Sequence, residues 1–120
     1  MNEIKIKPLS VNEAWAGRRF KSEKYKKFQF ELINKIQKLQ LPKGDILAFY
    51  EFGFSNKASD WDNPIKPIQD ILQRKLKFND SRIYLGLGHK VIVKKGEEYI
   101  KYSFTEYTED KIKKIKEIIK

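Results

Sequence analysis

The 120-residue chain has no cysteine, a single histidine (His89) and a single methionine. The missing thiols exclude a disulfide framework, a thiolate nucleophile and Cys-ligated zinc, and one imidazole removes most His-based metal sites and weakens any Ser-His-Asp arrangement. No apolar run approaches the ~20 residues of a bilayer-crossing helix. Met1 to Pro8 lacks the apolar core of a secretory signal, so the expectation is a cytosolic protein without a membrane partner. Acid is also scarce, with 16 Asp+Glu against 26 Lys+Arg and a net charge of +10. Any chemistry must therefore come from carboxylates, lysine, arginine or hydroxyls.

What is present belongs to a folded protein. Hydrophobic residues make up 40% and aromatics 13%, too apolar for a disordered polycation. At this length one domain over residues 1–120 is expected, burying about two thirds of the unfolded chain's surface. The basic excess favours a polyanionic partner, nucleic acid first, because Lys and Arg placed near phosphates release condensed counterions. The competing reading is lysine as a plain solubilising residue, since only Arg18, Arg19, Arg74 and Arg82 are arginine.

Apolar spacing sets the expected elements. Ile4 and Ile6 alternate with charges over Glu3 to Lys7, as in a half-buried strand. Pro8 to Phe20 lacks periodicity and reads as a long loop. From Ser22, the expected N-cap, Tyr25, Phe28, Leu32, Ile36 and Leu39 recur at helical spacing, ending at the Leu41-Pro42-Lys43-Gly44 turn. Ile46, Ala48, Tyr50, Phe52 and Phe54 then alternate as a strand. Its aromatic part, Tyr50 to Phe54, suits a subunit interface or edge pairing, or simply core packing. Pro64 opens a second helix with Asn63 as its cap and Ile65, Ile68, Leu72 and Leu76 on one face. Arg82 to Lys94 and Glu98 to Thr105 are β-rich runs around a hairpin-like turn at Lys95-Gly96-Glu97. Thr108 caps a Lys-rich C-terminal helix. The order β-α-β-α-β-β-α predicts an α/β (α+β) domain, a small mixed sheet flanked by helices.

Of six aspartates, Asp60, Asp62, Asp70 and Asp80 fall within 21 residues. Asp60 and Asp62 would share one side of an extended segment, and Lys66 and Asp70 stack at i and i+4 on the following helix. Asp80 lies in the exit loop; an antiparallel return of the helix would leave it a helix length from Asp62. Carboxylates without His or Cys suit a hard ion such as Mg²⁺ or Mn²⁺, which orients and acidifies water in phosphodiester hydrolysis, with Lys66 to stabilise the transition state. The alternative is structural: Asp60 and Asp62 as turn residues, Asp70 paired with Lys66 or Arg74, and Asp80 in an Asx-turn. The basic loop cations Arg18, Arg19 and Lys21, after Trp15, suit phosphate contact with a stacked base or sugar, or mere solvation. The lone His89, within a β-run, is given no catalytic role.

The stretch Asp60-Trp61-Asp62-Asn63-Pro64-Ile65-Lys66, then Asp70-Ile71-Leu72, then Asn79-Asp80-Ser81-Arg82-Ile83, resembles the signature of RusA-type Holliday junction resolvases. Pro8-Leu9-Ser10-Val11-Asn12, with Trp15 following, resembles that family's opening element. The resemblance covers most of the chain and implies a RusA-like fold. It also implies a homodimeric endonuclease, bacterial or prophage-borne, that nicks four-way DNA junctions symmetrically with Mg²⁺ or Mn²⁺. Carried over, Asp60, Asp62 and Asp80 are the metal carboxylates, Lys66 the essential basic residue and Asp70 a supporting one. Asn12, Trp15, Arg18, Arg19, Lys21 and Lys66 are the expected DNA contacts. Two departures stand out: Pro64 and Pro67 stiffen the helix start, and Asn79 occupies a position where an acid is common.

Overall fold

A computed structural model describes residues 1–14 and 21–120. Its centre is β2 (Ile46–Phe54), whose alternation buries Ile46, Ala48, Tyr50, Phe52 and Phe54 on one face. β2 pairs in parallel with β3 (Ile83–Ile92) and antiparallel with β4 (Tyr99–Glu106), and β4 carries β1 (Asn2–Ile4) on its outer side. The result is a four-stranded mixed sheet in the order β1-β4-β2-β3.

Two helices join the buried face of β2 in one core. α2 (Glu23–Lys35) contributes Tyr25, Phe28 and Leu32, and α3 (Ile65–Leu76) contributes Ile68, Ile71 and Leu72. Each such side chain, fully buried, stabilises the fold by roughly 1.5–3 kcal/mol. Ser22 caps α2 as expected, its hydroxyl accepting the Tyr25 N–H at 3.1 Å. The helix ends at Lys35, earlier than the apolar spacing indicated, because Ile36 turns to extended backbone at φ −74°, ψ 119°. Leu39 and Leu41 still reach the core from the chain beyond. Within the segment expected to be loop, Val11–Ala14 forms a single-turn helix, α1, with Ala14 buried.

The hairpin expectation is corrected. The turn exists, with Gly96 at φ +93° and the Glu97 N–H bonded to the Lys94 carbonyl at 2.9 Å. The flanking strands do not pair with each other, however, because β2 lies between them. β3 reaches β2 through α3, a crossover that yields a parallel pair, and the following link passes over the end of β2, where the Val93 N–H bonds to the Phe54 carbonyl at 2.7 Å. This placement also makes Tyr50–Phe54 an internal strand segment that packs in the core and has no free edge. α4 (Glu109–Ile118) follows β4, with the Thr108 hydroxyl accepting the Lys111 N–H at 3.3 Å.

On the opposite face of β2, Glu51 gathers a polar network. Its carboxylate accepts the Tyr99 hydroxyl at 2.7 Å and lies 3.0 Å from His89 Nδ1 and 3.7 Å from Lys101 Nζ. The Tyr99 hydrogen bond, then His89 and Lys101, hold the Glu51 carboxyl below its ordinary range against a smaller opposing effect of burial. The Tyr99 phenol is pushed up to about 12 by burial and by the same hydrogen bond. Gly53 makes room for this ring, since a Cβ there would stand 2.5 Å from Tyr99 Cε1. A carboxyl depressed on folding stabilises the protein above its unfolded pKa, and that contribution is lost as pH falls through the folded value. Glu51→Gln is therefore expected to lower the melting temperature at neutral pH and to flatten its decline below about pH 4.5. Thermal melts across pH check this; curves that run parallel at all pH values would contradict it.

Candidate functional site

The segment between β2 and α3 is organised by its own side chains. Asn56 starts a turn by accepting the Ala58 N–H at 2.9 Å, and the Asn63 amide donates to Asp60 Oδ2 at 3.1 Å. The Asp62 carbonyl accepts the Ile65 N–H at 3.0 Å. Asp60 to Asn63 is thus a turn and not the extended run that would align the two carboxylates by simple alternation. Both Asp60 and Asp62 are exposed. Asn63 spends its side chain on Asp60, so Pro64, at φ −78°, stands in the N-cap position without a side-chain cap. Pro67 is tolerated near the start of α3, where backbone N–H groups have no intrahelical acceptor.

Two contacts clamp this turn to β3. The Lys90 ammonium donates to the carbonyls of Lys57 and Ser59. The indole of Trp61 rests against Gly88, where an added Cβ would fall 2.6 Å from its Cε3. Neither Lys90 nor Gly88 is marked by the apolar spacing or by the acidic motif. The available signal was glycine inside a strand, at Gly86 and Gly88, which often marks a close approach by another group.

The N-terminal motif meets the same turn. Ser10 accepts the Asn12 N–H through its hydroxyl at 3.1 Å, opening α1, and the Val11 N–H bonds to the Asn63 carbonyl at 3.0 Å. Ser10, Glu13, Asp60, Asn63, Lys7 and Glu98 line a cleft of about 320 Å³ at this end of the sheet. Asn12 is exposed on α1. Two motif segments some fifty residues apart are therefore brought into direct contact.

The remaining expected residues disperse. Lys66 pairs with Asp70 at 3.2 Å along α3, with side-chain exposures of 63% and 20%. A pair this open contributes at most about 1 kcal/mol. Asp80 follows α3 at its far end, and the helix axis alone is roughly 18 Å long. There Asn79, not Asp80, makes the side-chain turn, accepting the Ser81 N–H at 2.9 Å. Arg82 donates to the carbonyls of Gly44 and Pro42. The Tyr50 hydroxyl donates to Gln69 Oε1 at 3.0 Å, and its phenol is pushed up first by burial and then by the charge of Asp80. Among the described residues no three acidic or histidine side chains form a group able to hold a metal ion. Asp60, Asp62 and Asp80 of one chain are thus not a gathered three-carboxylate set.

Lys21 lies 3.3 Å from Gln29 Oε1 and 5.0 Å over the Tyr25 ring. Desolvation holds its ammonium below the ordinary lysine range, Arg74 adds to that, and Asp70 opposes it. The cation of Lys21 thus sits within electrostatic reach of the exposed side of α3. Trp15, Arg18 and Arg19 lie outside the described residues. Among the described residues no helix is long and apolar enough to cross a membrane. No protein-family model matches the chain, and no curated protein matches it.

Proposed function

We propose that the chain is a metal-dependent endodeoxyribonuclease that resolves four-way DNA junctions as a homodimer. The observation that carries this reading is the contact between Val11 and Asn63, which sets the Ser10–Ala14 segment against the turn bearing two exposed carboxylates in a protein of net charge +10. Asp60 and Asp62 would hold Mg²⁺ or Mn²⁺, since such ions are commonly bound by one or two carboxylates with water and substrate phosphate completing the shell. The bound ion would supply an acidified water and charge neutralisation at the scissile phosphate. In-line attack of water then leaves 5′-phosphate and 3′-hydroxyl ends. Asp80, the third carboxylate that the resemblance implies, stands at the far end of α3 and does not join Asp60 and Asp62 within one chain. Lys66, exposed on the first turn of α3 and paired there with Asp70, would offer its ammonium to the phosphate backbone. Lys21, with Arg18, Arg19, Trp15 and Asn12, extends the grip on DNA. A four-way junction has approximate two-fold symmetry, so a C₂ dimer presents two equivalent sites to two equivalent strands.

The dispersal of the carboxylates favours a second reading, a non-catalytic polyanion-binding module, because Asp70 is paired with Lys66 and Asp60 with Asn63. Incubation with labelled four-way junctions, linear duplex and single-stranded RNA, with and without Mg²⁺, separates the alternatives. Paired symmetric nicks confined to junctions are expected. Tight, salt-sensitive binding without cleavage under any metal would identify the module, and comparable cutting of linear substrates a less selective nuclease.

A further inference from the structure

Trp61 stands between the two carboxylates of the β2–α3 turn, and its environment is unusual for a residue of its size. It is 50% exposed. Yet it is not a loosely tethered surface ring, because its six-membered ring occupies the space above Gly88, where a Cβ would come within 2.6 Å of Cε3 and 2.7 Å of Cζ3. Ile65 Cδ1 borders the same spot, 3.4 Å from that Cβ position. The Lys90 ammonium holds the preceding backbone through the carbonyls of Lys57 and Ser59. The turn therefore presents a large aromatic surface to solvent on a fixed seat, beside Asp60 and Asp62.

Fixing an exposed indole forfeits its freedom in advance, which favours a ligand that offers a flat ring. In a protein of this charge, the partner that combines flat rings with phosphates is nucleic acid. Within continuous duplex both faces of every base are covered by neighbours. At a branch point stacking is interrupted, so a base face becomes available close to the backbone that the carboxylates approach. Resting on the junction-cleaving reading, we infer that Trp61 is a specificity residue that stacks on an unstacked base at the branch point and so selects branched over linear DNA.

Base–aromatic stacking is sequence-tolerant and its loss weakens binding by about 5- to 100-fold. Trp61→Leu keeps an apolar side chain over Gly88 but removes the π face. Binding to a four-way junction and to a linear duplex of matched arm sequence is measured in metal-free buffer by fluorescence anisotropy of labelled DNA. Junction affinity is expected to fall by about 5- to 100-fold with duplex affinity changed less than about twofold. An equal loss on both substrates, or no loss on either, overturns the inference. In a Trp15→Phe chain, used at junction concentrations at which anisotropy shows that it is saturated with DNA, Trp61 is the only indole. Its emission is expected to be quenched at saturation with junction and not with duplex; unchanged emission on the junction likewise overturns the inference, even where the leucine variant fails to fold. Junction-selective quenching by a protein that never cleaves would retain Trp61 as a selector and reject the nuclease reading. Junction cleavage with unchanged Trp61 emission would do the reverse.

Discussion

Asp62→Asn is expected to reduce junction cleavage by more than about 10³-fold, because several kcal/mol of transition-state charge stabilisation depend on the ion that this carboxylate would hold. Junction binding should be retained or tightened, since the substitution also removes a negative charge facing phosphate. The scaffold has little at stake: Asp62 is exposed, and its backbone carbonyl, which accepts the Ile65 N–H at 3.0 Å, is unaltered in asparagine. Melting temperature should therefore stay within about 2 °C, as for most surface substitutions. Nicking of a labelled junction in Mg²⁺, with a gel shift in EDTA, reads both quantities. Cleavage within tenfold of the unaltered protein would remove Asp62 from the metal-holding pair.

The elements that could be read from the sequence are those in which one periodicity ran between clear stop signals. Ile46 to Phe54 alternates without interruption, and the observed strand has those same ends. Ser22 and Thr108 are legible as caps because a hydroxyl before a helical run accepts an N–H three residues on, as both do. The end of α2 was not legible, since Leu39 and Leu41 remain apolar for a different reason, packing from extended chain. Strand pairing is not legible at Lys95–Glu97: a local turn signal says where the chain reverses but not whether another strand lies between the two arms. Here β2 does, and only long-range pairing decides that.

The candidate site divides in the same way. Lys66 and Asp70 pair as i,i+4 spacing dictates. The meeting of Val11 with Asn63 is not legible, because no spacing rule relates residues so far apart. The extended-chain rule that would align Asp60 with Asp62 fails because the Asn63 amide bends the segment back on Asp60. Lys90 was one cation among 26 Lys+Arg, with nothing in the sequence to mark it as the clip that holds two loop carbonyls.

The largest effect on stability is expected from Ile68→Ala. Ile68 is fully buried on the face of α3 that joins the β2 core, beside Ile71 and Leu72. Truncation removes the transfer free energy of the lost carbons and leaves a cavity that the sheet beneath cannot close, a combined cost of about 2–5 kcal/mol. Against a total stability of about 5–15 kcal/mol, this should lower the melting temperature by on the order of 10 °C at this chain length. The site is tied to the same seat, because α3 begins where the Ile65 N–H bonds to the Asp62 carbonyl and its exposed side carries Lys66 and Asp70. Circular dichroism melts and urea titrations measure the loss, and a shift under about 3 °C would contradict the packing of α3 on the sheet. At 20 °C, where the folded state should still predominate, the variant is expected to keep cleavage within about tenfold. Asp62→Asn is thus expected to remove chemistry without stability and Ile68→Ala stability without chemistry, so the two together test whether the carboxylate acts on phosphate while the helix only holds it in place.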